Sequence, residues 1–208
     1  MHQFQHAWEQ VLQTLGIEQV KAQTTFTALA EAYNSPGRVY HTLDHIQDVL
    51  EWIEKLRNRA ADLPTIQLAA WFHDSIYDPH AADNEERSAV YAQSLLSSLA
   101  LPSETVQAVS QMILSTKTHW TEASKRDCQI LLDADLAILG ASVLRYDTYA
   151  QAIRQEYSWV PEISYRTGRA QVLQMFLQRA RIYWTEPMYT ALEEQARENI
   201  RRELASFS

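Results

Sequence analysis

The sequence predicts an all-α fold, and three observations carry the prediction. Only four glycines occur among 208 residues, Gly16, Gly37, Gly140 and Gly168, whereas turn-rich β folds need more chain punctuation. Ala, Leu, Gln and Glu dominate the composition, and all four favour helices. Apolar residues recur at three- and four-residue spacing along most of the chain, the period of a helix with one buried face.

The elements follow in order. Residues 4–15 carry Phe4, Ala7, Trp8, Val11, Leu12 and Leu15 at helical spacing. Residues 19–33 repeat the pattern, and Asn34, Ser35, Pro36 and Gly37 stop it. His41 to Arg59 is the next helix, with Ile46, Val49, Leu50, Ile53 and Leu56 on one face. Asp62, Leu63 and Pro64 open a helix over 65–77, since proline suits a first turn. That helix is apolar nearly all round, which marks a central one. A polar loop at 78–83 precedes a helix over 84–99, and Pro102 opens another to about 115. Residues 116–126 are polar and irregular, and 127–139 form an apolar helix ended by Gly140. Helices over 143–158 and 162–183 follow, and Thr185, Glu186 and Pro187 begin the last. About ten helices in one domain, residues 1–208, is the expected organisation, with no internal repeat, low-complexity tract or linker.

Composition narrows the function. Apolar content of 46% and charged content of 21% are ordinary for a globular chain. A formal charge of −8 argues against a polymeric nucleic-acid partner, which needs clustered Lys and Arg. It leaves room for a small nucleotide in a local pocket. The single cysteine, Cys128, allows no intrachain disulfide and fits a reducing compartment. The N-terminal residues lack the basic start and apolar run of a signal peptide. No apolar run approaches the roughly 20 residues of a membrane span. A soluble, cytoplasmic protein without a membrane partner is the expectation. A Gly-rich phosphate loop, GxSxG and CxxC are all missing, so P-loop, serine-hydrolase and zinc-ribbon chemistry are not indicated.

The chemistry-bearing residues are His41, His45, His73, Asp74, Asp133 and Asp135. His41 and His45 are four apart in YHTLDHI and can share a helix face. His73 and Asp74 are adjacent in AAWFHDSIYD, inside the most apolar helix, and both aspartates lie in apolar LLDADLAILG. Burying ionisable groups is costly unless they pair or bind metal. Imidazole and carboxylate together suit a divalent ion, here Mg, Mn, Fe, Co, Ni or Zn. A buried His–Asp pair is the structural alternative for any one of them.

The order His, His-Asp, Asp in these contexts resembles the HD-domain superfamily. YHTLDHI, AAWFHDSIYD, DNEERSA and DADLAILG together are similar to the small predicted metal-dependent phosphohydrolases of bacteria. The resemblance spans about residues 38–183. It implies an HD-type domain with a metal core at about 38–140 and C-terminal helices 143–206 completing the pocket. It implies His45, His73, Asp74 and Asp135 as metal ligands, with Asp133 secondary, because i and i+2 on a helix do not share a face. It implies hydrolysis of a phosphate ester or anhydride, with a nucleotide or another small phosphorylated metabolite as substrate.

The spacing from Tyr40-His41 to His45 also resembles the entry motif of cyclic-nucleotide phosphodiesterases, and by that analogy His41 is a candidate general acid. Its alternative role is capping or support of a ligand. Glu85 or Glu86 can aid the attacking water, or simply favour the start of their helix. Lys117 and His119 are substrate-side candidates, with an exposed loop as the alternative for His119. Arg154 and Arg169 are the arginines chosen to meet phosphate, and surface ion pairs are their alternative. Two other functions remain open at this stage: a non-catalytic nucleotide-sensing module, and a di-iron oxygenase of the same fold.

Overall fold

A computed structural model describes residues 1–207. Ten α-helices and two short 3-10 turns make up its regular structure, with no strand among the described residues. Backbone contacts group the chain into two compact units, Met1–Leu131 and Leu132–Ser208.

The first unit contains α1 (His2–Thr14), α2 (Gln19–Tyr33), α3 (Leu43–Lys55), α4 (Leu63–Phe72), α5 (Asn84–Ser98) and α6 (Ser103–Thr116). It also holds the start of α7 (Arg126–Asp135). As its composition predicts, α4 is central: Ile66, Leu68, Ala69, Ala70, Trp71 and Phe72 are all 0% exposed. Helices α1, α3, α5 and α6 pack around it. Asp62 caps its start by accepting from Thr65 N at 3.2 Å. Asp127 then accepts from Ala61 N and Asp62 N at 2.8 and 2.9 Å, tying the start of α7 to the start of α4.

Two expected helices of this unit are shorter than the periodicity suggests. The helix placed over 41–59 begins at Leu43, because Thr42 is its N-cap and accepts from Asp44 N. His41 therefore lies before the helix, and it shares no helix face with His45. A 3-10 turn, Arg57–Arg59, follows α3. The helix placed over 65–77 ends at Phe72. Its extension would pair Ser75 N with Trp71 O and Ile76 N with Phe72 O, but Trp71 O accepts from the Tyr33 hydroxyl at 2.9 Å, Ser75 N turns to Phe72 O at 3.0 Å, and Ile76 N donates to Ser88 Oγ at 3.0 Å. His73 is thus the C-cap and Asp74 sits in a turn, so the pair closes the apolar helix instead of lying within it.

The second unit contains the end of α7, a 3-10 turn (Leu136–Gly140), α8 (Val143–Glu156), α9 (Glu162–Gln178) and α10 (Glu186–Ala205). Expected as one helix over 162–183, α9 stops at Gln178. Arg197 draws the exit away by donating to Leu177 O and Arg179 O, and Glu193 accepts from Ile182 N and Tyr183 N. Gly140 has a packing role at the close approach of α10. A Cβ there would stand 2.6 Å from Leu192 Cβ and 2.8 Å from Leu192 O. Gly140→Ala is expected to lower stability by about 1–3 kcal/mol through overpacking, read as a fall in the urea midpoint. An unchanged midpoint would show that α10 can shift freely.

Candidate metal centre

Two helices of the first unit bring the two histidines together. His45 stands in the first turn of α3 and His73 caps α4; both are buried, at 3% and 2% exposure. Tyr40 packs on the His45 ring, with centroids 4.7 Å apart. The ring nitrogen Nδ1 of His73 lies 2.8 Å from the Ala70 carbonyl oxygen. A carbonyl only accepts, so Nδ1 carries the proton and donates. In the neutral ring, Nε2 is left with a lone pair.

That lone pair faces two further ligand atoms. His73 Nε2 is 3.2 Å from His45 Nε2 and 3.0 Å from Asp74 Oδ2, and His45 Nε2 is 3.5 Å from the same oxygen. Three potential acceptors this close repel one another unless a proton or a cation lies among them. Ligands at about 2.1 Å from one hexacoordinate ion are separated by roughly 3 Å along each octahedral edge. The donor set and its spacing therefore fit a divalent ion. Burial alone would raise the Asp74 carboxyl, but the imidazoles beside it, His73 first, then His41 and His45, outweigh it whenever they are protonated. They hold the group well below the ordinary carboxylate range, and Asp74 stays anionic. Asp135 ends α7 and belongs to the second unit.

Arg38 supports this centre and lies in no pattern visible in the sequence. Its guanidinium donates to the carbonyls of His41, Asp74 and Ser75, and Nε donates to Ser35 Oγ. It also lies over the rings of Tyr33 and Tyr77. The loop before α3 is thereby pinned to the turn after α4. Behind the turn, Ser88 bridges Ile76 N and O, and Asn84 bridges Asp78 N and O. DNEERSA thus contributes Asn84 and Ser88 to the scaffold.

His41 stacks on Tyr77 with centroids 4.2 Å apart, and its ring centroid is 6.1 Å from that of His45. Glu85 and Glu86 occupy the first turn of α5. Glu86 pairs with Lys117 at 2.5 Å, and Lys117 also donates to Ala82 O. The hydrogen bond between them lowers the Glu86 carboxyl and raises the Lys117 ammonium from their ordinary values. His119 follows α6 with a left-handed backbone, φ +47°.

The second unit gives the chosen arginines protein partners. Arg154 donates to Glu162, to Tyr157 O and to Val160 O, and lies over Tyr165. Arg169 makes a two-pronged pair with Glu203, at 2.8 and 3.1 Å, and donates to Tyr149.

Asp133 has a structural task. Its carboxylate accepts from Trp184 N, Thr185 N and Thr185 Oγ1 at 2.6–2.7 Å, ahead of α10. Burial pushes it up to about 6 against those donors. Its folded value thus exceeds its unfolded one, so its contribution to stability is complete below about pH 4 and is lost as pH rises through about 6. The stability difference between the protein and Asp133→Asn is expected to narrow over that window in urea titrations. A difference independent of pH would contradict this.

No helix of the described residues is long and apolar enough to cross a membrane. No family model, curated protein or solved structure matches the chain.

Proposed function

We propose that this chain is a metal-dependent phosphohydrolase acting on a nucleotide or another small phosphorylated metabolite. The observation that supports it best is the convergence of His45 Nε2, His73 Nε2 and Asp74 Oδ2 within 3.5 Å, with the proton of His73 directed away to Ala70 O. Such an arrangement serves a cation better than it serves packing. The motif order that resembles HD-domain phosphohydrolases supports the choice of reaction.

In this reading His45, His73, Asp74 and Asp135 hold the ion. A bound divalent cation supplies Lewis acidity, making water easier to deprotonate and a phosphoryl oxygen more electrophilic at phosphorus. The protein does the rest. The Ala70 carbonyl fixes the His73 tautomer and keeps the ring pointed at the centre. Asp74 contributes negative charge at neutral pH. His41, held by Tyr77 and through its carbonyl by Arg38, is placed to give a proton to the leaving oxygen. Glu85 is the better candidate to orient the attacking water, because Glu86 is engaged by Lys117.

A phosphate-release screen over nucleotides and sugar phosphates tests the proposal, with Mg²⁺, Mn²⁺, Co²⁺, Ni²⁺, Zn²⁺ and Fe²⁺ supplied separately. Release that depends on one of these ions is the expected result. Two irons per chain, oxygen consumption and no phosphate release would replace it with an oxygenase. Tight nucleotide binding without turnover would replace it with a sensing module.

A further inference from the structure

The starting point is Gly168, in the middle of α9. A glycine inside a helix costs about 0.5–1 kcal/mol relative to alanine, and at Gly140 the close approach of α10 accounts for it. At Gly168 no neighbour within the chain does, because a Cβ there would meet no atom within 4 Å. The surface around it is distinctive in a second way. From Thr167 to Gln178 every exposed residue of α9 is Thr, Gly, Gln, Val or Met. Along α8 the exposed positions after Tyr146 are Thr148, Gln151 and Gln155. Neither run carries a charge, and depletion of charge marks the centre of protein interfaces.

The two helices form one face. Arg169 donates to Tyr149 and Arg154 lies over Tyr165, so five positions forward along α8 are four back along α9. That is the register of an antiparallel hairpin. Both helices are anchored on α10, α8 through Tyr146 and α9 through Arg169, which meet on Glu203. Their exposed positions therefore look away from α10 side by side. The register sets Gln151 level with Gly168 at the middle of the hairpin, and Leu144 level with Met175 at its base. Trp159 and Ile163 stand at its tip. Leu144, Met175, Trp159 and Ile163 are 79%, 54%, 50% and 82% exposed.

Apolar groups thus lie at both ends of a charge-free face, on either side of its middle. A two-fold axis through that middle, in the plane of the face and across the helices, carries each end onto the other. We propose that this face binds a second copy of the chain: two α8–α9 hairpins pack antiparallel, tip over base, as a four-helix bundle. Leu144 then meets Trp159 of the second copy, and Met175 meets the tip beside it. The α9 helices cross at the two Gly168 positions, where the missing side chains let the backbones approach.

Size and charge both suit a second copy. The face spans helices of 14 and 17 residues, about 20–25 Å long and about 20 Å across, and its ridged surface approaches the roughly 800 Å² per partner of a stable interface. A chain of net charge −8 repels its own copies, and does so least through a face without charges. Glu162, near the tip, is already paired with Arg154 and Arg166. The dimer is independent of the metal centre.

Sedimentation equilibrium of the full-length protein tests this. The expected mass at micromolar concentration is twice the 24.0 kDa of one chain. Leu144→Glu and Trp159→Lys each place a charge at an exposed position, so each should keep the helical circular dichroism of the fold. Each should raise the dimer dissociation constant by about 100-fold or more, because a two-fold contact carries every substitution twice. Leu144→Glu and Trp159→Lys combined in one chain should recover most of that loss, since the introduced opposite charges of the two copies then face each other. A protein that stays at 24.0 kDa at every attainable concentration would overturn the proposal. So would single variants as tightly dimeric as the unsubstituted chain, or a double variant no tighter than the singles.

Discussion

Asp74→Ala is expected to reduce divalent-metal affinity by more than about 100-fold and to remove phosphate release altogether. Loss of a group that merely orients a ligand already costs about 10–100-fold, and Asp74 places its oxygen 3.0 and 3.5 Å from the two imidazole nitrogens themselves. It is also the group whose charge is best secured, being held below the usual carboxylate range by three surrounding histidines against the opposing effect of burial. Without it, two neutral nitrogens face the cation. Asp74→Asn keeps the volume and removes the charge, so it should behave like alanine. Calorimetric titration with Mn²⁺ and phosphate release measured on the same preparations check both effects. The fold should persist, because the side chain is 20% exposed and the bond from Arg38 goes to the backbone carbonyl, which the substitution keeps. Metal binding and turnover that survive Asp74→Ala would remove the proposed centre.

Arg169→Ala is expected to destabilise the protein by about 3–5 kcal/mol, the usual cost of leaving one member of a buried ion pair alone. The side chains of Arg169 and Glu203 are 9% and 8% exposed. Tyr146 donates to the same carboxylate at 2.5 Å, so the removal leaves a buried anion with a single neutral donor. Burial, reinforced by the proximity of Glu203, raises the Tyr146 hydroxyl above its ordinary value and keeps it protonated. The double replacement Arg169→Met with Glu203→Leu should recover much of the loss, since it removes both charges at once. Urea denaturation of the unsubstituted protein and of the two variants measures both effects. If Arg169→Ala kept full stability and lost turnover alone, the arginine would belong to the substrate after all.

The contrast between these two residues explains what the sequence reveals and what it hides. The helices were legible because their apolar spacing is a local property, and α4 was identifiable as central from its composition. His45, His73 and Asp74 were legible because ionisable groups in apolar segments have few tolerable fates. The helix ends were less visible. Asp74 leaves the helix where Trp71 O accepts from Tyr33, which is 38 positions away in sequence. The partners of the arginines after Asp135 are hidden for a related reason. Arg169 and Glu203 are 34 positions apart, and only the packing of α9 and α10 makes them partners. The sequence makes Asp133 secondary to Asp135 but does not show its task, because its three donors come from residues 184 and 185. In each case the hidden information was a long-range hydrogen bond, which leaves no periodic trace.

The Arg38 clamp has a kinetic consequence. One guanidinium holds the carbonyl of residue 41 and those of residues 74 and 75. Neither segment can open alone without leaving some of those carbonyls without their donor. The two strips of backbone that flank the histidines should therefore breathe as one piece, and their amide protons should exchange with solvent at a common rate. Arg38→Ala would separate the two rates. An ion seated beside such a jointly latched pair, as proposed above, would leave slowly, and its residence time would then depend on a residue that never touches it.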